Sequence, residues 1–128
     1  MGLRLVHLNL HGLIRSQDLE LGRDSDTGGQ TLYVLELVKG LAARPEIEKV
    51  ELITRLIVDR RISKDYANPR EKISNSAEII RLPFGPNRYL RKELLWPFLD
   101  DLADQIVQRL QDEKQIPDWI HAHDADAG

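Results

Sequence analysis

The sequence predicts an α/β domain: a partial Rossmann-like parallel sheet whose strands are connected by helices. Short apolar runs of strand length alternate with longer segments in which apolar residues recur every three or four positions, and prolines or glycines separate them. Such alternation is typical of a parallel sheet with right-handed crossovers. The length of 128 residues fits one domain or part of one.

The first strand is predicted over 3–10, and a polar segment over 11–27 follows it. A connection of that length is uncommon unless it is functional or disordered. The first helix is predicted to open at Gly28, Gly29 and Gln30. Its apolar face is formed by Val34, Leu37, Val38 and Leu41.

The rest of the chain supplies three more strands and one long helix. Strands are predicted over 49–55, 77–82 and 119–123, with a loop over 58–75 and a helix over 91–114. The doubly wound order would be 3-2-1-4, and ligands bind where the order reverses, between strands one and four.

The pattern stops where a doubly wound half usually continues. Strand four would remain an exposed edge, which natural proteins tend to cover. We therefore expect residues 1–128 to be a truncated domain.

Composition excludes several classes of protein. The net charge is −3 and the basic residues form no stripe, which argues against nucleic-acid binding. The chain has no cysteine, so disulfides and thiolate metal sites are excluded. Neither a signal peptide nor a run of about 20 apolar residues is present, so we predict a cytoplasmic location without membrane contact.

All four histidines lie on predicted strands one and four or just after them. We interpret His7 and His121, inside strands, mainly as core or packing residues, and His11 and His123, at carboxyl ends, as ligand candidates.

The residues of the last predicted strand raise the alternative of a metal site. His121 and His123 share one strand face and Asp126 follows them. The metallo-hydrolase pattern H-x-H-x-D-H fails, because Ala125 and Asp126 stand where Asp and His are needed. A metal-dependent hydrolase is the weakest hypothesis, and we predict no metal site.

Glycines at a helix start let a ligand approach the backbone, and the helix N-terminus favours an anion, so Gly28 and Gly29 indicate phosphate or pyrophosphate binding. The alternative is an ordinary turn, and the pattern is not G-x-G-x-x-G. Arg55, Arg91 and Lys92 are either phosphate contacts or ordinary solvated cations.

Residues 11–15 (HGLIR) and 19–30 (LELGRDSDTGGQ) resemble the start of sucrose-phosphate synthases. Residues 52–55, 91–97 and 121–128 are also similar to that family, so the resemblance covers essentially the whole chain. Sucrose synthases share the His-Gly and Thr-Gly-Gly-Gln elements but usually differ in the residues that link these two elements. They are therefore the second family that the sequence resembles.

The resemblance implies a retaining two-domain glycosyltransferase of the GT-B type, GT4-like, that moves glucose from UDP-glucose to fructose 6-phosphate. Residues 1–128 would be part of its N-terminal, acceptor-side domain. No cofactor is required, UDP-glucose is the donor substrate, and Mg²⁺ is a candidate stimulant.

By resemblance, Gly28 and Gly29 form the glycine loop that faces the donor diphosphate and the acceptor. Gln30 matches an acceptor contact, Lys92 a lysine that helps to bind the sugar phosphate, and His11 a histidine near the reacting sugars.

His123 and Asp124 complete the predicted substrate site. Asp124 stands where the family usually carries tyrosine, and a carboxylate repels a phosphate, which puts the acceptor in question. The family's Gly-His-Ser segment and paired glutamates lie beyond Gly128, so we expect no catalytic residue here and no activity from the isolated chain. The alternatives are a fragment of sucrose synthase or another GT4-type enzyme, and a non-catalytic sugar-phosphate binding module.

Overall fold

The structure, a computed structural model, describes residues 2–10, 12–20, 29–86, 88–90, 94–113 and 117–123. The strands are β1 (Leu3–Leu8), β2 (Ile47–Arg55), β3 (Arg70–Ser74), β4 (Ala77–Leu82) and β5 (Trp119–Ala122). The helices are α1 (Gly29–Ala42) and α2 (Leu99–Glu113), with short 3₁₀ helices at Lys64–Ala67 and Trp96–Phe98.

The strands form one five-stranded sheet in the order β3-β4-β2-β1-β5. β1 pairs in parallel with β2 and with β5, and β2 pairs in parallel with β4. The α/β class and the predicted order of the four parallel strands are therefore confirmed.

The prediction of a loop over 58–75 is wrong in part, because β3 lies there and pairs antiparallel with β4. Every second residue of β3 is exposed and its one aliphatic side chain is Ile73. Such an edge strand is specified by its hairpin partner more than by its own hydrophobicity, so apolar runs did not reveal it.

Two layers of apolar side chains cover the two faces of the sheet. On one face, α1 buries Val34, Leu35 and Val38 against Val50 and Leu52. The other face lies under α2, whose apolar residues join two clusters. Their members include Val6, Leu8, Ile53, Ile80, Phe84, Leu95, Leu102 and Ile106. Each such residue contributes about 1.5–3 kcal/mol when fully buried, so these layers hold the sheet between the helices.

The long helix begins later than predicted. Residues 94–98 contain 3₁₀ geometry and a turn, and α2 begins at Leu99 instead of position 91. Pro97 stands in the first turn of the 3₁₀ helix and has no backbone N–H to continue an α-helical ladder. Asp100 and Asp101 then favour a helix start electrostatically. The other predicted element ends agree with the structure to within two residues.

The connection after β1 was predicted as one long polar segment, and residues 12–20 of it are described. Leu13 and Ile14 are fully buried. The backbone N–H of Ser16 donates to Glu71 Oε2 at 2.7 Å, and Tyr66 donates its hydroxyl to Glu20 at 2.6 Å. This part of the connection is thus anchored to the sheet. Within the described ranges, neither helix combines the length and apolarity needed to cross a bilayer.

Candidate ligand site at the carboxyl edge of the sheet

The carboxyl ends of β1 and β5 lie side by side, and α1 starts above them. β1 has β2 on one side and β5 on the other, so the strand order reverses at β1. In open α/β sheets this reversal opens a crevice outside the carboxyl ends of the strands. The fold therefore has the strand reversal on which the predicted ligand position depends.

Asn9 and Gln30 link the end of β1 to the first turn of α1. Asn9 is fully buried, and its backbone N–H donates to the carbonyl of Ile53 at 3.0 Å, which continues the sheet past Leu8. Its Oδ1 accepts a hydrogen bond from Gln30 Nε2 at 3.1 Å. The exposed side-chain amide of Gln30 is therefore held in place by the buried Asn9, before any ligand binds.

Gly29 is the first residue of α1 and is exposed. A Cβ built on it would meet no non-neighbouring atom of the described chain within 4 Å. Packing within the described residues therefore does not require glycine here. The first N–H groups of a helix lack intrahelical partners, so open space beside them suits an anion.

Three histidines meet on the same edge. Strand pairing sets His7 opposite His121, and His123 follows two residues later. His7 Nδ1 lies 2.7 Å from His123 Nε2, and the rings of His121 and His123 stack with centroids 4.1 Å apart. His7 is only 2% exposed, whereas His121 is exposed because β5 is an edge strand, so the interpretation of His121 as a core residue is wrong.

The environment keeps His7 uncharged. Burial is the largest cause, and the neighbouring rings of His123 and His121 act in the same direction, so that the pKa of His7 falls from 6.5 to about 4. At neutral pH His7 is therefore a neutral imidazole with one nitrogen free of a proton.

Tyr33 links helix α1 to the end of β5. It lies one turn after Gln30 on α1, and its ring meets that of His123 edge-on, with centroids 6.3 Å apart. Gln30 and Tyr33 on α1 therefore lie on the same edge of the sheet as His123.

Of the predicted site residues, Gly29, Gln30 and His123 lie at this edge. His11, Gly28, Lys92 and Asp124 lie outside the described residues. Sequence reasoning missed Asn9 and Tyr33 and did not assign His7 to a site. Asn9 could have been found from the sequence, because it is a polar residue at the end of an apolar strand.

Arg55 was weighed as a phosphate contact, but its guanidinium is engaged elsewhere. It is buried and donates to the carbonyls of Pro86 at 2.7 Å and Arg88 at 2.6 Å. Burial lowers the pKa of Arg55 to about 10, against a small opposing effect of Tyr89. Arg55 therefore fastens the segment after β4 to the sheet.

The family model described as the first GT-B domain of sucrose synthase matches residues 1–127. Probable sucrose-phosphate synthase 3 from Arabidopsis thaliana is 40% identical over 152 residues, which covers 98% of this chain and 14% of the relative. The sucrose-phosphate synthase from Spinacia oleracea is 39% identical over 153 residues, with the same two coverages. The chain thus spans 14% of the length of these curated relatives.

Among solved structures, the sucrose-phosphate synthase from Thermosynechococcus elongatus has a similar fold, with a TM-score of 0.72. The match covers 94% of this chain and 27% of that one at 24% sequence identity. A likeness at this identity concerns the fold.

Proposed function

We propose a function in sucrose 6-phosphate formation. The chain belongs to the family of the first GT-B domain of sucrose synthase, and its curated relatives are named sucrose-phosphate synthases. The GT-B type of fold and the glycosyltransferase resemblance expected from the sequence are confirmed. In the proposed reaction, the enzyme containing this domain moves glucose from UDP-glucose to fructose 6-phosphate and releases UDP.

The observation that carries this proposal is the arrangement of Gly29, Gln30 and Asn9 at the switch point. An open glycine at a helix start admits a phosphate-bearing ligand, and a fixed amide beside it can hydrogen-bond sugar hydroxyls. The family resemblance gives Gly29 and Gln30 these same roles, toward the diphosphate and the acceptor.

We propose that the domain supplies one side of the catalytic cleft and that the isolated chain is inactive. Two well-formed surface grooves of the described residues lie away from the carboxyl edge, one beside Arg4 and Glu48 and one beside Arg15 and Glu71. Glycosyl transfer needs groups placed around the transition state from several directions. A site at the edge of this domain would therefore be completed by the rest of the protein.

The acceptor distinguishes the two names among the matches, because a sucrose-phosphate synthase is named for a phosphorylated product and a sucrose synthase for an unphosphorylated one. The matching family model is described by sucrose synthase, whereas the curated relatives are sucrose-phosphate synthases. We favour fructose 6-phosphate, since the curated relatives, 39–40% identical over 98% of the chain, are named sucrose-phosphate synthases.

The test is UDP release by the longest natural protein that contains this chain, supplied with UDP-glucose and either fructose 6-phosphate or fructose. We expect faster release with fructose 6-phosphate and none from the 128-residue chain alone. A preference for fructose would assign the protein to the sucrose synthase branch, and release with neither acceptor would contradict the proposed transfer.

Asp124 provides a second test of the acceptor, from the sequence alone. Asp124→Tyr in the same protein should raise kcat/KM for fructose 6-phosphate, since a negative charge is removed near the proposed phosphate position. An unchanged ratio between the two acceptors would mean that Asp124 does not line the site. The cytoplasmic location, the absence of a required cofactor and stimulation by Mg²⁺ stay predictions.

A further inference from the structure

Three histidine rings from two neighbouring strands converge at the carboxyl edge, and we propose that His7, His121 and His123 bind a divalent transition-metal ion. One nitrogen of each ring lies within 4.8 Å of the chosen nitrogens of the other two. Nitrogens bound to one tetrahedral Zn²⁺ at about 2.0–2.1 Å stand roughly 3.3 Å apart. The nitrogens therefore lie within about 1.5 Å of the spacing that one ion requires.

Backbone pairing fixes the ligands before a metal arrives. His7 and His121 are registered partners in the parallel β1–β5 pair, and residues two apart on a strand share a face. The backbone N–H of His123 donates to the carbonyl of Leu8 at 3.1 Å, which holds the third ligand in the ladder. The pairing of the strands therefore positions the backbone of all three histidines before an ion binds.

A second observation points to a missing partner. His7 is buried, and its Nε2 has no hydrogen-bond partner among the residues that the structure describes. Leaving a buried polar atom unpaired costs about 1–3 kcal/mol. A neutral imidazole has one proton-free nitrogen, and that nitrogen is the atom that binds a metal ion.

The ligand set selects the class of ion. Imidazole nitrogen suits Zn²⁺, Co²⁺, Ni²⁺ and Cu²⁺, whereas Mg²⁺ and Ca²⁺ prefer oxygen ligands. Exposed His121 and half-buried His123 leave an approach from solvent. Three protein ligands would leave a fourth position for water.

This site differs from the metal-dependent hydrolase weighed from the sequence. That hypothesis needed Asp126 on the same strand as two histidines. Here the third ligand is His7, which comes from the first strand and is 116 residues from His123 along the chain. The inference concerns binding of the ion and does not rest on the proposed glycosyl transfer, although both sites use His123.

The proposal is tested by titrating the metal-stripped chain with Co²⁺ and recording its visible absorption. We expect the intense bands of tetrahedral Co²⁺ to saturate at one ion per chain, Zn²⁺ to abolish them, and Mg²⁺ to leave them unchanged. Absence of a saturable band would overturn the proposal.

Two glutamine variants make the test specific. His121→Gln removes an exposed ligand and should weaken Co²⁺ binding at least about tenfold. Ile120→Gln, at a neighbouring exposed position whose side chain points to the other face of β5, is the matched control and should bind as the original chain does. Equal affinities for His121→Gln and Ile120→Gln would contradict the assignment even if the original chain binds Co²⁺.

Discussion

Two buried polar side chains of the sheet, Arg81 on β4 and His7 on β1, have the same exposure of 2% but differ in how completely their polar atoms are hydrogen-bonded. The guanidinium of Arg81 donates to the carbonyls of Asn68 and Ile14, each at 3.0 Å, and to Glu71 Oε1 at 2.7 Å. His7 has one ring nitrogen beside His123, and its other nitrogen has no partner in the described ranges.

The difference separates a structural region from a ligand-binding one. Buried polar groups are normally hydrogen-bonded, so a filled network such as that of Arg81 needs no further explanation. Arg81 ties β3, β4 and the segment over 12–20 together. An unfilled group at the carboxyl edge lies where the fold admits ligands. We therefore expect changes near Arg81 to alter stability and changes near the carboxyl edge to alter binding.

The largest effect is expected for Arg81→Met. Glu71 and two backbone carbonyls would lose their buried donor, which should lower the free energy of unfolding by about 3–5 kcal/mol in urea denaturation. Arg70→Met is the matched control, because Arg70 pairs with Glu78 at an exposed position. Its cost should be at most about 1 kcal/mol. Similar losses in the two variants would erase the distinction between a buried network and a surface pair.

A smaller effect, confined to ligand binding, is expected for Gly29→Val. The added side chain meets no described neighbour but occupies the approach to the start of α1. In the longest natural protein that contains this chain, kcat/KM with fructose 6-phosphate should therefore fall at least about tenfold, about 1.4 kcal/mol. Gly40→Val is the matched control, since Gly40 lies on the same helix and also has open space beside it. Unfolding free energies should be similar for both variants. A loss of kcat/KM in both would point to a general effect on α1.

The smallest effect is a change in acid sensitivity in Glu71→Gln. Burial opposes ionisation of Glu71, but hydrogen bonds from Ser16 and Arg81 outweigh it and hold the pKa of Glu71 below its ordinary 4.5. Its carboxylate therefore stabilises the fold above pH 4.5, and this contribution is lost as pH falls through the lower folded pKa.

Glu71→Gln should lower the free energy of unfolding at pH 7 by about 1 kcal/mol and flatten the fall of stability below pH 4.5. Urea denaturation at a series of pH values measures both quantities. Parallel pH profiles for the variant and the original chain would show that the Glu71 carboxylate does not stabilise this region.

The sequence allowed prediction of elements whose hydrophobic pattern is strong. The strand over 77–82 was placed with the bounds of β4, because an apolar run ends at a proline. The hydrophobic pattern did not indicate β3, because its mostly polar residues form a strand through pairing with β4. The start of α2 was predicted too early, because a 3₁₀ helix with Pro97 in its first turn precedes it and has no separate hydrophobic pattern.

The candidate site could be predicted where its residues are close in sequence. Gly29 and Gln30 are adjacent at a helix start, which the glycine pattern indicated. The contacts of Gln30 with Asn9 and of His7 with His123 depend on how the strands pair. A single sequence contains no direct signal for that register, so these partners became visible only in the fold. The roles of the site residues stay predictions.

The most direct test is a map of amide chemical shifts of the 128-residue chain during titration with fructose 6-phosphate, with glucose as the neutral-sugar control. We predict that the largest changes occur at Gln30, Asn9 and His123 and that β3 and β4 around Arg81 change little. Changes centred on β3 and β4, or equal changes with glucose, would contradict a sugar-phosphate site at the carboxyl edge.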